Sequence, residues 1–314
     1  QRLVSSWGTG ETKQMTGEYP RLTIVTPSDS QSFRLPWSKN RTIHITRMDT
    51  DPHAVAALLK DRLKDGGCAA VICNRVARSI EMYRAFEQAN IVDPQELILF
   101  HARFPYAWRQ GIENIVLERF KKGGQRPHKA IVVATQVIEQ SLDLDFDIMV
   151  SDLAPIDLIL QRAGRLHRHE QNNTIRPAEL QEPHLVLTSA VNKDQLPVFG
   201  GDEWIYDESI LLRTWAVLQD YGQISIPSDT SPLIEAVYGD GRIEEYPEQL
   251  KKAIQLADKK ARDAYQHAVF EAKKRLIPDL QDEQLIFSQN EALEEEDPTV
   301  HQSISALTRL GNPS

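Results

Sequence analysis

The sequence has little of what marks secreted or membrane proteins. Its 314 residues include only two cysteines, Cys68 and Cys73, which are too few for a disulfide framework and suit a reducing cytoplasm. No apolar run approaches the roughly 20 residues of a membrane-spanning helix, and the first residues lack the apolar core of a signal peptide. We therefore expect a cytoplasmic protein without a membrane partner. Because the chain begins at Gln1 rather than Met, we also expect it to be a piece of a longer protein.

An excess of positive charge is missing as well. The 36 Lys and Arg residues are outnumbered by 45 Asp and Glu residues, and the net charge is −9. Taken alone, this balance disfavours a general nucleic-acid-binding protein. The charge is nevertheless uneven, because residues 119–129 and 161–169 are basic while residues 291–297 are strongly acidic. Local fields of this kind matter more for binding than the sum.

The pattern of apolar residues predicts an α/β fold. Between residues 41 and 190, strand-like and helix-like segments alternate about five times, which requires a parallel sheet with helices on both faces. Residues 1–40, rich in Ser, Thr, Gly and Pro, are predicted to be a connecting segment, and residues 191–314 to be a mostly helical linker or accessory region with a weakly ordered end. Ligands of such sheets bind beyond the carboxyl ends of the strands.

The stretch "QRAGRLHRH" at 161–169 follows an apolar run without a turn residue, so we predict one helix over 156–169. On this helix Gln161, Gly164, Arg165 and Arg168 would form one stripe. Gly164 would let a ligand or another backbone come close, and guanidinium groups match phosphate oxygens in pairs of hydrogen bonds. The alternative is a solvated basic end of a helix, favoured by the helix dipole.

A second stretch, "VVATQVIEQSLDLDFD", begins as a strand and continues as a polar loop. Thr135 could give a hydroxyl to a backbone phosphate, and Asp143 could accept a hydrogen bond from a ribose hydroxyl. Asp143, Asp145 and Asp147 could also form a metal site. Their alternation with large apolar residues favours the edge of a strand, and we predict no metal site.

Together these stretches carry a resemblance. "VATQVIEQSLDLDFD" and "SDLAPIDLILQRAGRLHRH" resemble motifs V and VI of superfamily 2 helicases, the latter with the form Q-x-x-G-R-x-x-R. In detail they are similar to the CRISPR-associated helicase–nuclease of type I interference systems. "VICNRVARSIEMYRAF" resembles motif IV of that family, and "LILFHARFPYAWRQGIE" its next segment. The resemblance covers residues 40 to 190 well and the helical region only loosely.

The resemblance implies a second RecA-like motor lobe, with ATP between two lobes and single-stranded DNA across both. By position, Arg165 and Arg168 would be arginine fingers on the γ-phosphate. Gln161 would take part in the nucleotide site and in coupling between the lobes, and Gly164 and Asp143 would border the nucleotide. The remaining candidates lie where strands end and would contact DNA: Thr135, Asn74, Arg75, His101 and Arg103.

Several family motifs are absent from the sequence. It contains no G-x-x-x-x-G-K-[ST] loop, no Asp-Glu-x-His or Asp-Glu-Ala-Asp box and no His-Asp dipeptide. We therefore expect a missing first lobe to hold most of the ATP and the Mg²⁺, with neither bound tightly here and no ATP turnover by this chain alone. The expected partners are single-stranded DNA, the first lobe and nuclease domain of the same protein, and a target-bound CRISPR surveillance complex. The alternatives are a lobe of another superfamily 2 DNA or RNA helicase, and a non-catalytic nucleic-acid-binding scaffold.

Overall fold

The computed structural model describes residues 20–26, 30–35, 39–139, 143–239 and 245–274. The described residues up to 257 belong to one compact unit, and those from 258 to 274 belong to a second. The strands are β1 (Arg21–Val25), β2 (Ser30–Arg34), β3 (Arg41–Met48), β4 (Gly67–Ile72), β5 (Leu97–Phe100), β6 (Lys129–Ala134), β7 (Ile148–Asp152), β8 (His184–Thr188), β9 (Ala190–Val191), β10 (Pro197–Val198) and β11 (Gln223–Ile226). The helices are α1 (Pro52–Arg62), α2 (Val76–Ala89), α3 (Tyr106–Phe120), α4 (Ile156–Ala163), α5 (Glu208–Gln219), α6 (Thr230–Tyr238) and α7 (Glu248–Lys274).

A seven-stranded sheet in the order β11-β3-β8-β7-β4-β6-β5 lies at the centre of the first unit. Its strands are parallel except β11, which runs antiparallel to β3. Helices α1 and α2 pack on one face of the sheet, and α3, α4, α5 and α6 pack on the other. The predicted α/β fold, a parallel sheet with helices on both faces, is confirmed.

Strand β4 shows why a continuous apolar run in the sequence indicates a strand that is buried on both faces. All six of its residues are buried. Cys68, Ala70 and Ile72 contribute to the core on one face of the sheet, while Ala69 and Val71 contribute to the core on the other. A strand covered on both faces needs apolar side chains at every position, not at every second one.

Strands continue beyond residue 190, where the sequence predicted a mostly helical region: β9 and β10 form a short antiparallel pair, and β11 joins the main sheet. Strand β11 pairs with β3, with Ile224 opposite Ile43, and so forms the edge of the sheet. Its signal was a short alternation, "QISI", directly after Gly222. The division into domains at residue 190 stays a prediction, although α5, β11 and α6 pack on the same sheet.

The predicted connecting segment contains strands, and parts of this segment and of the tail lie outside the described residues. Strands β1 and β2 pair antiparallel within residues 1–40, which the sequence analysis predicted to be a connecting segment. Residues 1–19 and the acidic stretch 291–297 lie outside the described residues. Among the helices that are described, none is both long and apolar enough to span a membrane.

Helix α1 begins as its sequence predicts. The Asp51 carboxylate accepts hydrogen bonds from the backbone N–H groups of His53 and Ala54, at 3.1 and 3.2 Å, and Pro52 occupies the first helical position. Asp51→Ala is expected to lower the free energy of unfolding by about 1 kcal/mol, because it leaves two N–H groups without an acceptor in the protein. Urea denaturation measures this change. Asp61→Ala, which removes an exposed carboxylate of the same helix, is the control and should change little.

Candidate functional site

The basic motif does not lie on one helix. Helix α4 ends at Ala163, and beyond it Phe146 and Leu166 form a parallel β-bridge. The backbone N–H of Phe146 donates to the Arg165 carbonyl at 3.0 Å, and the N–H of His167 donates to the Phe146 carbonyl at 3.0 Å. The helix predicted over 156–169 is therefore wrong in its second half, because pairing with a distant segment replaces the helical hydrogen bonds there.

Gly164 ends the helix without opening space for a ligand. Its φ of −60° is one that any residue adopts. A Cβ at this position would meet the carbonyl oxygens of Gln161 and Leu160 at 3.3 and 3.4 Å, so the nearest atoms belong to the preceding turn of α4. The role of Gly164 beside a nucleotide stays a prediction.

Arg165 and Arg168 differ sharply in their surroundings. Arg165 is buried, and its Nη2 donates to the Glu139 carbonyl at 2.8 Å. Burial, followed by the charge of Arg168, lowers the pKa of the Arg165 guanidinium. Arg168 is about half exposed, and its Nε lies 2.5 Å from Asp143 Oδ1. Arg165 is thus fixed in the protein, whereas Arg168 faces solvent.

The structure brings Arg168 and Asp143 into direct contact. Asp143 Oδ1 also lies 3.2 Å from His169 Nε2. Partial burial opposes ionisation of Asp143, but contacts with His169 and Arg168 outweigh it and lower the pKa of Asp143. Exposed pairs of this kind contribute about 0–1 kcal/mol to stability, so the Arg168–Asp143 pair can be exchanged for contacts with a ligand at small cost.

Arg168 also borders an open cleft of about 520 Å³, beside Arg41 and Lys39. The cationic Lys39 pairs with Glu170 at 2.9 Å on the surface. His167, on the same cleft, has a pKa lowered to about 4, chiefly by burial, so it is neutral at pH 7. Gln161 is exposed on α4. The cleft fits an anion better than a cation, since Lys39, Arg41 and Arg168 contribute three positive charges to its lining and Glu170 one negative charge.

Arg162, which the sequence analysis overlooked, is wholly buried and connects four segments. Its Nε donates to Glu139 Oε1 at 2.7 Å and its Nη1 to Ser151 Oγ at 2.8 Å. Its Nη1 also donates to the Asp152 carbonyl at 3.1 Å, and its Nη2 to Asn74 Oδ1 at 3.4 Å. The available signal was its position beside the buried stripe of α4, where a guanidinium must find partners inside the protein.

The predicted DNA candidates lie at the carboxyl ends of the strands. Thr135, Asn74 and His101 follow β6, β4 and β5 and are all buried, while Arg103 is exposed. Burial lowers the pKa of His101, so its ring is neutral and offers a phosphate only a hydrogen bond. The edge therefore holds all of these candidates, but only Arg103 and Arg75 present a cation there.

Asp202 holds two of these candidates in place. Its Oδ2 accepts from Asn74 Nδ2 at 2.7 Å, and its Oδ1 accepts from Arg75 Nε at 2.9 Å. Asn74 Nδ2 also donates to the Leu153 carbonyl at 2.7 Å. Asn74 is thus a junction within the protein, and its direct contact with DNA stays a prediction. The sequence analysis missed Asp202, which lies far away along the chain.

Asp145 and Asp147 bind arginines. Asp145 accepts two hydrogen bonds from Arg176 Nη2, both at 2.9 Å, and Asp147 pairs with Arg176 and with Arg126, the latter at 2.8 Å. Asp147 Oδ2 also accepts from the Cys68 N–H at 2.7 Å. Both carboxylates are engaged inside the protein. Within the described ranges, no three His, Cys, Asp or Glu residues are grouped to hold a metal ion.

Comparisons with known proteins identify the family of this chain. A family model described as CRISPR-associated nuclease/helicase Cas3, C-terminal, matches residues 65–171. The CRISPR-associated endonuclease/helicase Cas3 of Thermus thermophilus is 31% identical over 99% of this chain, which spans 38% of that relative's length. The matched range contains the candidate residues from Asn74 to Arg168.

Solved structures are similar over most of the chain. A crystal structure of a CRISPR-associated protein superposes with a TM-score of 0.79 at 39% identity, over 85% of this chain and 30% of that one. T. fusca Cas3 with AMPPNP gives 0.72 at 31% identity, over 84% and 31%. A CRISPR RNA-guided surveillance complex in a pre-nicking state gives 0.71 at 28% identity, over 89% and 35%. The chain belongs to the family of the CRISPR-associated nuclease/helicase Cas3, whose C-terminal region it matches.

Proposed function

We propose that this chain is the second motor lobe, with the region that follows it, of a cytoplasmic enzyme that couples ATP hydrolysis to movement along single-stranded DNA and degrades foreign DNA in CRISPR interference. The observation that carries the proposal is the group formed by buried Arg165, exposed Arg168 and Asp143. A relative of known structure contains AMPPNP. The lobe spans residues 41–190, and residues 191–314 form the linker and accessory region.

In this proposal the γ-phosphoryl group of ATP is transferred to water. The lobe places positively charged arginine side chains beside that phosphoryl group. Arg168 leaves Asp143 and binds the γ-phosphate, where a guanidinium stabilises charge that develops in the transition state. Asp143, once released, accepts a hydrogen bond from a ribose hydroxyl. Arg165 stays fixed by the Glu139 carbonyl and adds its positive charge beside the phosphate. Gln161, on the exposed side of α4, takes part in the nucleotide site.

The DNA would pass the carboxyl edge of the sheet, with Thr135, Arg75 and Arg103 on its phosphates. The turn at 136–139 leads from Thr135 to Glu139, which contacts both Arg162 and Arg165. Nucleotide and DNA residues are therefore joined by one short segment. The first lobe would hold Mg²⁺ and the rest of ATP, and a target-bound surveillance complex would recruit the enzyme.

The first test is ATP hydrolysis by this chain alone, with and without single-stranded DNA. We expect no turnover, because no phosphate-binding loop is present in the sequence. Adding the separately produced first lobe of the same protein is expected to restore DNA-stimulated hydrolysis. Turnover by the chain alone would contradict the proposal, since the ATP site would then be complete without the first lobe.

A further inference from the structure

The segment that follows β5 combines aromatic side chains with positive charge. Residues 101–111 read "HARFPYAWRQG", with two arginines and four rings but no Asp or Glu, in a chain whose net charge is −9. Among the described residues, neither Arg103 nor Arg109 forms an ion pair. This combination is typical of surfaces that bind single-stranded nucleic acids.

Two of the rings are exposed at the beginning of α3. Tyr106 is 65% exposed and Trp108 is 67% exposed. The guanidinium carbon of Arg109 lies 5.6 Å from the centre of the Tyr106 ring, and Gln110 Nε2 lies 2.8 Å from the Tyr106 hydroxyl as its donor. These neighbours hold the Tyr106 ring in one orientation while leaving it open to solvent.

Trp108 stands beside the carboxyl edge of the sheet. At helical spacing it shares a stripe of α3 with Ile112 and Val116, which pack into the core. It stays exposed because it lies in the first turn of α3, which begins six residues after β5 ends at Phe100. The Phe100 carbonyl accepts from the Thr135 N–H at 3.1 Å, so the predicted DNA contact at Thr135 belongs to the same edge.

A buried polar atom between these features has no partner within the described residues. His101 Nδ1 is buried and forms no hydrogen bond there. The His101 ring stacks on Phe104 at 4.1 Å between ring centres, with an angle of 4° between their planes. The edge thus places a stacked pair of rings next to a buried imidazole nitrogen.

We propose that Trp108 forms a base-stacking platform for single-stranded DNA, with Arg103 on a neighbouring phosphate, while Tyr106 and Arg109 offer a second ring and cation on a different side of α3. This inference rests on the proposed function and extends the DNA path from the strand ends onto α3. Stacking on aromatic rings accepts every base, because every base has a π face. The platform therefore allows a translocase to bind single-stranded DNA without sequence preference.

Trp204 provides a natural contrast. It is 89% exposed, yet its neighbours in sequence include Asp202, Glu203 and Asp207. Asp202 is paired with Arg75, but Glu203 and Asp207 disfavour a phosphate backbone, so Trp204 is not expected to stack on DNA. Trp204→Ala removes more exposed aromatic surface than Trp108→Ala and is the control.

The experiment compares two DNA ligands that share phosphates and differ in bases. Fluorescence anisotropy measures binding of this chain to a labelled oligothymidylate of about 15 nucleotides and to an abasic oligonucleotide of equal length. Trp108→Ala is expected to weaken binding to oligothymidylate about 10-fold and to leave binding to the abasic strand unchanged. Trp108→Tyr should retain most of the affinity. Arg103→Ala should weaken binding to both ligands equally, since it removes a phosphate contact.

Four results would overturn the platform. Equal losses on both ligands for Trp108→Ala would indicate a change in structure, and equal behaviour of Trp108→Ala and Trp204→Ala would remove the distinction between the two sites. Unchanged DNA binding by Trp108→Ala would overturn the platform but would not contradict the proposed function. If that variant also lost binding to a surveillance complex, the surface would be assigned to protein docking. No binding of wild-type protein to either ligand would contradict the proposed function and the platform together.

Discussion

In the full-length enzyme, Arg168→Ala is expected to lower kcat for ATP hydrolysis by about 1000-fold or more, because an arginine finger contributes a factor of about 10³–10⁵. The structure indicates that this substitution removes the guanidinium with little effect on the rest of the protein. The Arg168 side chain is 45% exposed, and among the described residues it forms an ion pair with the exposed carboxylate of Asp143. Its loss should therefore leave the free energy of unfolding nearly unchanged. Steady-state hydrolysis with saturating single-stranded DNA measures kcat.

The controls separate chemistry from folding. Arg84→Ala removes an exposed arginine of α2 and should leave kcat unchanged. Arg165→Ala should lower kcat similarly but also destabilise the protein, because Arg165 is buried and donates to the Glu139 carbonyl. A scaffold that merely retained the fold would need neither guanidinium. A normal kcat for Arg168→Ala would therefore remove its role as a finger.

The second large effect is on stability. Arg176→Met is expected to lower the free energy of unfolding by about 3–5 kcal/mol, the usual cost of breaking a buried ion pair by removing one partner. The Arg176 side chain is fully buried and pairs with both Asp145 and Asp147. Without it, Arg126 alone faces two buried carboxylates. Urea denaturation at pH 7 measures the change, with Arg84→Met as the control.

The pH dependence of this effect has a definite sign. Burial alone would raise the pKa of Asp145, but Arg176, Asn172 and Arg126 outweigh burial and lower it. A carboxylate with a lowered pKa stabilises the protein above its unfolded pKa of about 3.9, and this contribution is lost as pH falls through the folded value. The difference between wild type and Arg176→Met should thus shrink below about pH 4. A difference under about 1 kcal/mol at pH 7 would contradict the account.

The comparison of sequence with structure separates local signals from distant ones. The apolar run of β4 and the cap of α1 were predictable, because each depends on neighbours along the chain. The end of α4 was not, since Phe146 competes for the backbone of residues 165–167. Asp202 was missed for the same reason: its partner Asn74 lies 128 residues away in the sequence.

The candidate site follows the same rule. The motif identified Arg165, Arg168 and Asp143 as residue types suited to a phosphate and a ribose, and the structure brings Arg168 and Asp143 together. The motif could not indicate that Arg162 is wholly buried, because the partners of Arg162 come from three other segments. Spacing selects candidates, but burial decides which of them remain available to a ligand.

The buried Arg162 has a further consequence for the proposed enzyme. One guanidinium contacts Glu139, which holds Arg165 through its carbonyl, and Asn74 at the edge of the sheet. A shift of either end changes the same set of hydrogen bonds, so nucleotide and DNA become parts of one thermodynamic cycle. By reciprocity, the factor by which DNA changes the affinity for nucleotide must equal the factor by which nucleotide changes the affinity for DNA. In the proposed enzyme, Arg162 would contribute to that coupling free energy, because it contacts both Glu139 and Asn74.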